Sequence, residues 1–406
     1  MRRVAGFLTI AAAVLMGTVA AEAAPLSESQ YATLVARFQT AVDAERARYS
    51  VPGITAALVL PDGRLAKVAS GYADVERKLP MTPDSRMLSG STGKTLAAAV
   101  AIKLSRQGVW SLDDKLSKYL GSRPWFQRLP NADGLTIRLL LQHRGGMENY
   151  YNNPRFFDWY RARLAEDPSY VPNFDTLIEF VCEQPPLFAP GQGFNYSDVG
   201  YLIVGLAIES ATGRAYYDQV RESFLDPLSL TLTAPSNVRT IPGLTQGYAN
   251  GRNPLLLGPR MLGERGVLTY DPSIEFTAGG FVSNSGDLAR WAFALYGGKA
   301  LDSPALAEML AVPTGTANAR YYGLGAGVFP ANDGLPLAYG HDGYIPGYRS
   351  SLRYYPAAGM AIALQTNTED GYWEESKQGA AAGHLDFASL RARITRAVLE
   401  FPGVGR

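Results

Sequence analysis

Strand-forming sequence is confined to the two ends of this chain, with a long helical middle between them, and that arrangement limits the folds open to it. Near the N-terminus, GITAALVLPDGRLAKVASGYAD carries two apolar, β-prone runs around Pro61-Asp62-Gly63, which is a hairpin signal. Strand character returns only in YYGLGAGVFP, YRSSLRYYP and MAIALQTN, the last two separated by the turn Ala357-Ala358-Gly359. Between them, residues 110–275 read as helical pieces split by Pro, Gly and Asn, with TIRLLLQHRGG, FDTLIEFVCEQ and GYLIVGLAIESATG the clearest. The termini are therefore expected to build one sheet together. The prediction is an α/β (α+β) fold: a mainly antiparallel sheet flanked by helices, formed by residues 27–110 and 276–406, with an all-helical lobe inserted at 111–275. Flanking helices are expected at residues 27–50, with Ser27 or Ser29 as cap, in SNSGDLARWAFALYGG and in DFASLRARITRAVLEF. The stretch ENYYNNPRFFDWYRARLAEDPSYVP mixes aromatic and polar residues and reads as a surface loop with short helices.

The first residues, MRRVAGFLTIAAAVLMGTVAAEAAP, place Arg2 and Arg3 before an apolar run that ends in Ala21-Glu22-Ala23, the pattern of a cleaved signal peptide over residues 1–23. An exported protein, periplasmic or secreted, is expected, with no integral membrane segment after the leader is removed. The chain has 38 Lys and Arg against 37 Asp and Glu, and losing Arg2, Arg3 and Glu22 with the leader leaves the two in balance. That gives no electrostatic case for a nucleic-acid or anionic-membrane partner; a small-molecule or peptide substrate is expected instead. Cys182 is the single cysteine, so no intrachain disulfide can form. With only His143, His341 and His384 beside it, no metal site and no cofactor is expected.

Ser91-Thr92-Gly93-Lys94 opens the apolar stretch STGKTLAAAVAIKLSRQG. At spacing i, i+3 on a helix the two side chains share a face, so a lysine amine can meet the serine hydroxyl and take its proton. The helix start adds unpaired N–H groups suited to a developing oxyanion. Such a serine needs a second proton-handling group. Tyr196-Ser197-Asp198 stands just ahead of a strong apolar helix, whereas Tyr150-Tyr151-Asn152 and Tyr248-Ala249-Asn250 sit in loop-like sequence. His341-Asp342-Gly343 lies at the start of a strand; His143-Arg144-Gly145 has the same spacing but follows a helix, where a structural or capping histidine is expected.

As an ordered set, the motifs S-x-x-K at Ser91 and Lys94, LLLQHRGG at 139–146, PGQGFNYSD at 190–198, TAGGFVSNSGDLARW at 277–291 and YGHDGYIPGY at 339–348 resemble those of the penicillin-recognising serine hydrolases. These comprise class C β-lactamases, DD-carboxypeptidases and related esterases and D-aminopeptidases. The resemblance implies a β-lactamase/transpeptidase-like fold, Ser91 as nucleophile, Lys94 as its base and Tyr196, as phenolate, carrying the proton to the leaving group. It also implies His341 on the strand bordering the cleft, and backbone N–H groups of Ser91 and Tyr344 as the oxyanion hole, with Gly343 beside them. The default substrate it implies is a D-alanyl-D-alanine-type peptide; an esterase or D-aminopeptidase, or a non-catalytic penicillin- or ligand-binding protein, are the alternatives.

Two departures from the family pattern bear on substrate. Asp198 stands where an amide-bearing asparagine is usual and cannot donate while ionised; it can instead bond Lys94 or accept from a substrate N–H. Asp342 stands where a Ser or Thr often holds a substrate carboxylate. Asp342 either points into solvent at the strand edge or faces the cleft; in the second case two carboxylates there would repel an anionic lactam or a C-terminal D-alanine, and would favour a neutral ester or a substrate with a free amine.

Overall fold

The computed structural model describes residues 25–249, 258–313, 321–369 and 385–404. The expected signal peptide and His384 lie outside these residues. Among the described residues no helix is long and apolar enough to cross a membrane.

Among the described residues ten strands occur, β1 (Gly53–Val59), β2 (Leu65–Asp74), β3 (Leu79–Pro80), β4 (Met87–Leu88), β5 (Ala234–Pro235), β6 (Phe281–Ser283), β7 (Gly327–Phe329), β8 (Ala338–Ile345), β9 (Tyr348–Tyr355) and β10 (Met360–Thr366). Seven form one sheet in the order β3-β2-β1-β10-β9-β8-β7, antiparallel throughout. The two chain ends meet in its middle, where β1 runs against β10 with Ile54 opposite Thr366 and Val59 opposite Ala361. A second, three-stranded sheet, β4-β6-β5, joins short segments from three parts of the chain.

Alternation along the central strands sorts residues onto two helical layers. Ile54, Leu58, Ile362 and Leu364 face one side. They pack with Leu34, Phe38 and Val42 of the helix Glu28–Tyr49 and Leu390, Ile394 and Val398 of the helix Phe387–Leu399. Burying each such side chain stabilises the fold by roughly 1.5–3 kcal/mol. The first helix starts where Ser27 and Gln30 close a capping box. On the other side Ala57, Ala361 and Ala363 present small side chains, and the helix Ser285–Tyr296 lies over β1 and β10. Behind it the helix Lys94–Arg106 is buried from Lys94 to Ile102 and packs among helices rather than on the sheet.

Three sequence expectations are corrected. The aromatic stretch is not a surface loop: Pro154–Glu166 is an amphipathic helix with Phe156 and Tyr160 buried, and Phe156 lies edge-on to Phe180. Its polar residues lie between the buried aromatic positions and face outward, which makes an amphipathic helix resemble mixed loop sequence. The strand expected over YYGLGAGVFP shortens to β7, because Gly323 and Gly325 turn the chain; Gly325 has φ +66° and approaches the carbonyl of Lys94 too closely for a side chain. Finally, His341-Asp342-Gly343 lies inside β8, not at its start.

Candidate active site

Ser91 sits in a 3-10 turn, Gly90–Gly93, that leads directly into the helix Lys94–Arg106. Gly90 has φ +52°, and a side chain there would collide with the backbone of Tyr344. At Gly343 a Cβ would lie 2.1 Å from the carbonyl oxygen of Ser89. These two glycines let β8 press against the serine turn. Because β7 covers only Ala338–Gly340 of β8, the later part of that strand forms an edge beside the turn. This brings the backbone of Tyr344 next to the N-terminal end of the buried helix.

Lys94 is fully buried, and its Nζ contacts three acceptors: Ser91 Oγ at 3.0 Å, Asp198 Oδ1 at 2.5 Å and the carbonyl of Ala278 at 2.6 Å. Three acceptors match the three hydrogens of an ammonium. As a neutral amine, the same group can keep its bonds to Asp198 and Ala278 and turn its lone pair to the Ser91 hydroxyl. Asp198 thus takes the first of the two roles open to it in sequence.

Tyr196 lies against this cluster, its ring centroid 4.9 Å from Lys94 Nζ and its hydroxyl interacting with Ser91. Burial, and next the charge of Asp198, push its phenol well above the ordinary range, and Glu275 adds to the shift. Burial and these carboxylates oppose the phenolate expected from the family pattern, and the contact with Ser91 acts the other way.

The Tyr196-Ser197-Asp198 segment is held by two residues that precede it in the chain. Asn149 accepts the backbone N–H of Asp198 at 2.7 Å and donates to the carbonyl of Tyr196 at 2.9 Å. His143 Nδ1 accepts from the backbone N–H of Ser197 at 3.0 Å, and its ring packs 4.2 Å from that of Tyr196. His143 is structural, as its position after a helix suggested. Burial, with Lys94 nearby, keeps it neutral.

His341 and Asp342 point to opposite sides of β8. His341 is buried behind Tyr196, at 6.2 Å between ring centroids, and does not line the cleft. Its Nδ1 lies 2.5 Å from the carbonyl of Asp342, so Nδ1 carries the proton and Nε2, 2.8 Å from the Tyr322 hydroxyl, accepts. Burial and then the charge of Lys94 lower its pKa to about 4. Asp342 is also absent from the cleft. It pairs with buried Arg353 at 2.7 Å, with Arg391 farther off, and the two guanidiniums outweigh burial and hold its carboxyl well below the usual range. Both arginines line a separate, larger cavity of about 730 Å³.

The cleft itself, about 350 Å³, is lined by Ser91, Asp198, Tyr344, Ile345 and Pro346 together with Tyr150, Tyr151, Phe156, Phe157, Tyr160, Tyr270, Ile274 and Glu275. Glu275 was not singled out in the sequence. It precedes Phe276, whose φ of 37° is a strained conformation for a residue with a side chain, held by a ring stacked 4.6 Å from that of Phe174. Burial first, and then Asp198, raise the Glu275 carboxyl to about 7, with Lys94 acting the other way. The second carboxylate at the cleft is Glu275, not Asp342. A local signal did exist: Glu275 stands two residues before the recognised TAGG motif, whose Ala278 carbonyl receives Lys94.

Comparison with known proteins identifies the family and the fold. The profile of the Beta-lactamase family matches residues 38–385. Penicillin-binding protein 4* of Bacillus subtilis (strain 168) is 28% identical over 318 residues, covering 77% of this chain and 67% of that protein. Among solved structures, a D-stereospecific amidohydrolase from Streptomyces superposes with a TM-score of 0.71 at 26% identity, covering 91% of this chain and 99% of that one. The D-amino acid amidase from Ochrobactrum anthropi SV3 complexed with D-phenylalanine gives 0.71 at 25% identity, with 91% and 99% covered.

Proposed function

Since the chain belongs to the Beta-lactamase family of serine hydrolases, we propose that it is an exported enzyme that cleaves an amide or ester through an acyl-enzyme on Ser91. The observation that carries this reading is the contact of Lys94 Nζ with Ser91 Oγ at 3.0 Å, made by an amine whose other contacts are Asp198 and the carbonyl of Ala278.

In this mechanism Ser91 Oγ attacks the substrate carbonyl while its proton passes to neutral Lys94. Negative charge develops on the carbonyl oxygen beside the amides of Ser91 and Tyr344, which serve as the oxyanion hole. Tyr196, still carrying its proton, donates it to the leaving nitrogen or oxygen as the C–N or C–O bond breaks, and recovers a proton from Lys94. Water then attacks the acyl-enzyme by the reverse route. Asp198 anchors Lys94 throughout, and His341 supports this centre from behind the cleft without touching substrate.

Substrate class divides the family. The likeness to Penicillin-binding protein 4* favours a D-alanyl carboxypeptidase-type reaction. The lining of the cleft favours an amidase or esterase: among the described residues it contains two carboxylates, Asp198 and Glu275, and no Lys or Arg side chain to meet a substrate carboxylate. The amidase or esterase reading is the better supported of the two.

Labelling with an active-site fluorophosphonate, followed by intact mass measurement of wild type and Ser91→Ala, tests the acyl-enzyme. A single adduct lost in Ser91→Ala is expected, and the same adduct on Ser91→Ala would overturn the reading. Turnover of a neutral ester, an amino-acid amide, nitrocefin and an acyl-D-alanyl-D-alanine peptide separates the substrate classes. Preference for either of the last two would restore the carboxypeptidase or lactamase assignment.

A further inference from the structure

The cavity of about 730 Å³ beyond Asp342 is walled by residues of β7, β8, β9 and the helix Phe387–Leu399, and it shares no lining residue with the cleft. Four arginines line it, Arg353, Arg391, Arg393 and Arg396, against one carboxylate among the described lining residues, that of exposed Asp333. Two of the four are largely withdrawn from water: the side chain of Arg353 is 1% exposed and that of Arg391 15%. A guanidinium so placed is costly unless acceptors and a counter-charge surround it.

These two share one counter-charge. Asp342 bonds Arg353 at 2.7 Å, but its other oxygen lies 3.9 Å from Arg391, beyond hydrogen-bond reach. The Nε atoms of both arginines are buried with no hydrogen-bond partner among the described residues. Arg353 is held further by the carbonyl of Leu352 at 2.9 Å and by the ring of Phe329, whose centroid is 3.8 Å from its guanidinium carbon. Arg391 has no comparable support. Asp386, a second carboxylate near it, is engaged in capping the helix, where it accepts from Ser389. Along the same wall Arg393 has Glu45 at 3.7 Å, while Arg396 has a carbonyl, that of Asp333 at 3.1 Å, in place of a carboxylate.

Arg391 and Arg396 therefore bring more positive charge to the cavity than the protein neutralises. The planar fork of a guanidinium matches a carboxylate or a phosphate, and two forks on one helix can meet the same head group. Phe329, Leu335, Pro336 and Tyr355 supply apolar wall opposite that charge, in a volume suited to a small molecule.

We propose that this cavity is a second binding site, for an organic anion whose carboxylate or phosphate is held by Arg391 and Arg396 and whose apolar body lies against Phe329, Leu335 and Pro336. The site is separate from Ser91 and does not depend on the acyl-enzyme reading.

Calorimetric titration of the full chain at low ionic strength with phenyl phosphate, 3-phenylpropanoate, neutral 3-phenylpropanol and inorganic phosphate tests this. At least one of the two organic anions is expected to bind about tenfold or more tightly than the alcohol, and the tighter of them identifies the head group. Arg391→Gln and Arg396→Gln are each expected to weaken that anion by about tenfold. Ser91→Ala and Arg106→Gln, the latter removing an arginine paired with Asp302 elsewhere on the surface, should leave its binding unchanged. If Arg391→Gln lowers the melting temperature, Arg396→Gln, at a less buried position, decides the matter alone. Equal binding of anions and alcohol, anion binding that survives the Arg396 substitution, an equal loss in Arg106→Gln, or no binding of any probe overturns the proposal. Inorganic phosphate bound as tightly as phenyl phosphate overturns the organic ligand.

Discussion

Asn149 holds Asp198 by its backbone, its side-chain oxygen accepting the Asp198 N–H at 2.7 Å while its nitrogen donates to the carbonyl of Tyr196 at 2.9 Å. A single buried amide thereby fixes both ends of the Tyr196-Ser197-Asp198 segment. Asn149→Leu removes both bonds at similar volume, and small displacements of a reacting centre are expensive in rate. The expected loss is about tenfold to a hundredfold in kcat. Stopped-flow measurement of Ser91 acylation should show the same loss as steady-state turnover; an acylation rate unchanged beside a lower melting temperature would make Asn149 structural only.

Lys94 and Asp198 form a largely buried ion pair, with Lys94 fully enclosed. Asp198→Ala leaves the buried Lys94 side chain without its carboxylate partner, a change expected to cost about 3–5 kcal/mol of stability. Urea denaturation at neutral pH reads this directly. Asp198→Asn keeps an acceptor for Nζ and should fall between wild type and Asp198→Ala; equal stability of all three proteins would show that the pair contributes nothing.

Glu275 has a raised carboxyl in the folded protein, at about 7. The folded state therefore holds this proton more tightly than the unfolded chain does. Its contribution to stability is fully present below the ordinary carboxyl range and is lost as pH rises toward and through 7. Glu275→Gln abolishes that loss. Its melting temperature should gain on wild type between pH 5 and pH 8, reaching an advantage on the order of 1–3 kcal/mol at the alkaline end. A gain that is independent of pH would show that the carboxyl is not displaced upward.

His341 behaves in the opposite sense. Its pKa is lowered to about 4, so the unfolded chain takes up the proton first as pH falls. Stability should decline from pH 6.5 toward pH 4, with a contribution from His143, which is displaced the same way. His341→Gln should flatten this part of the pH–stability curve, measured by scanning calorimetry at successive pH values. An unaltered slope would exclude His341 as the source.

Much of the architecture was legible because it depends on local signals. The turn residues around Pro61 and Gly359, the Ser27 cap and the apolar periodicity of the flanking helices each act within a few residues. The Ser91, Lys94 and Tyr196 positions were also legible, as spaced motifs before apolar helices. What escaped were properties set by the far side of a contact. Asp342 could face the cleft or leave it, and the choice was made by Arg353, its diagonal neighbour on β9, and Arg391 on the last helix. The environment of Tyr196, set by burial, Asp198 and Glu275, raises its pKa and cannot be read from its own segment. Asn149 carried no motif of its own, and Glu275 had only its nearness to the TAGG segment, because a lone Glu or Asn acquires meaning from what folds against it.

The pairing of β1 with β10 has a consequence for when the protein can first work. The proposed nucleophile, Ser91, is made early in synthesis, but the strand that presses against it, β8, and the strand that closes the sheet, β10, belong to the last quarter of the chain. Ser91 and Lys94 therefore emerge from the ribosome without Gly343 and Tyr344 beside them, and the helices between must be held until the final strands arrive. A chain truncated before β8 carries Ser91 and Lys94 but not Gly343 and Tyr344, so the proposed site exists only once the sheet is complete.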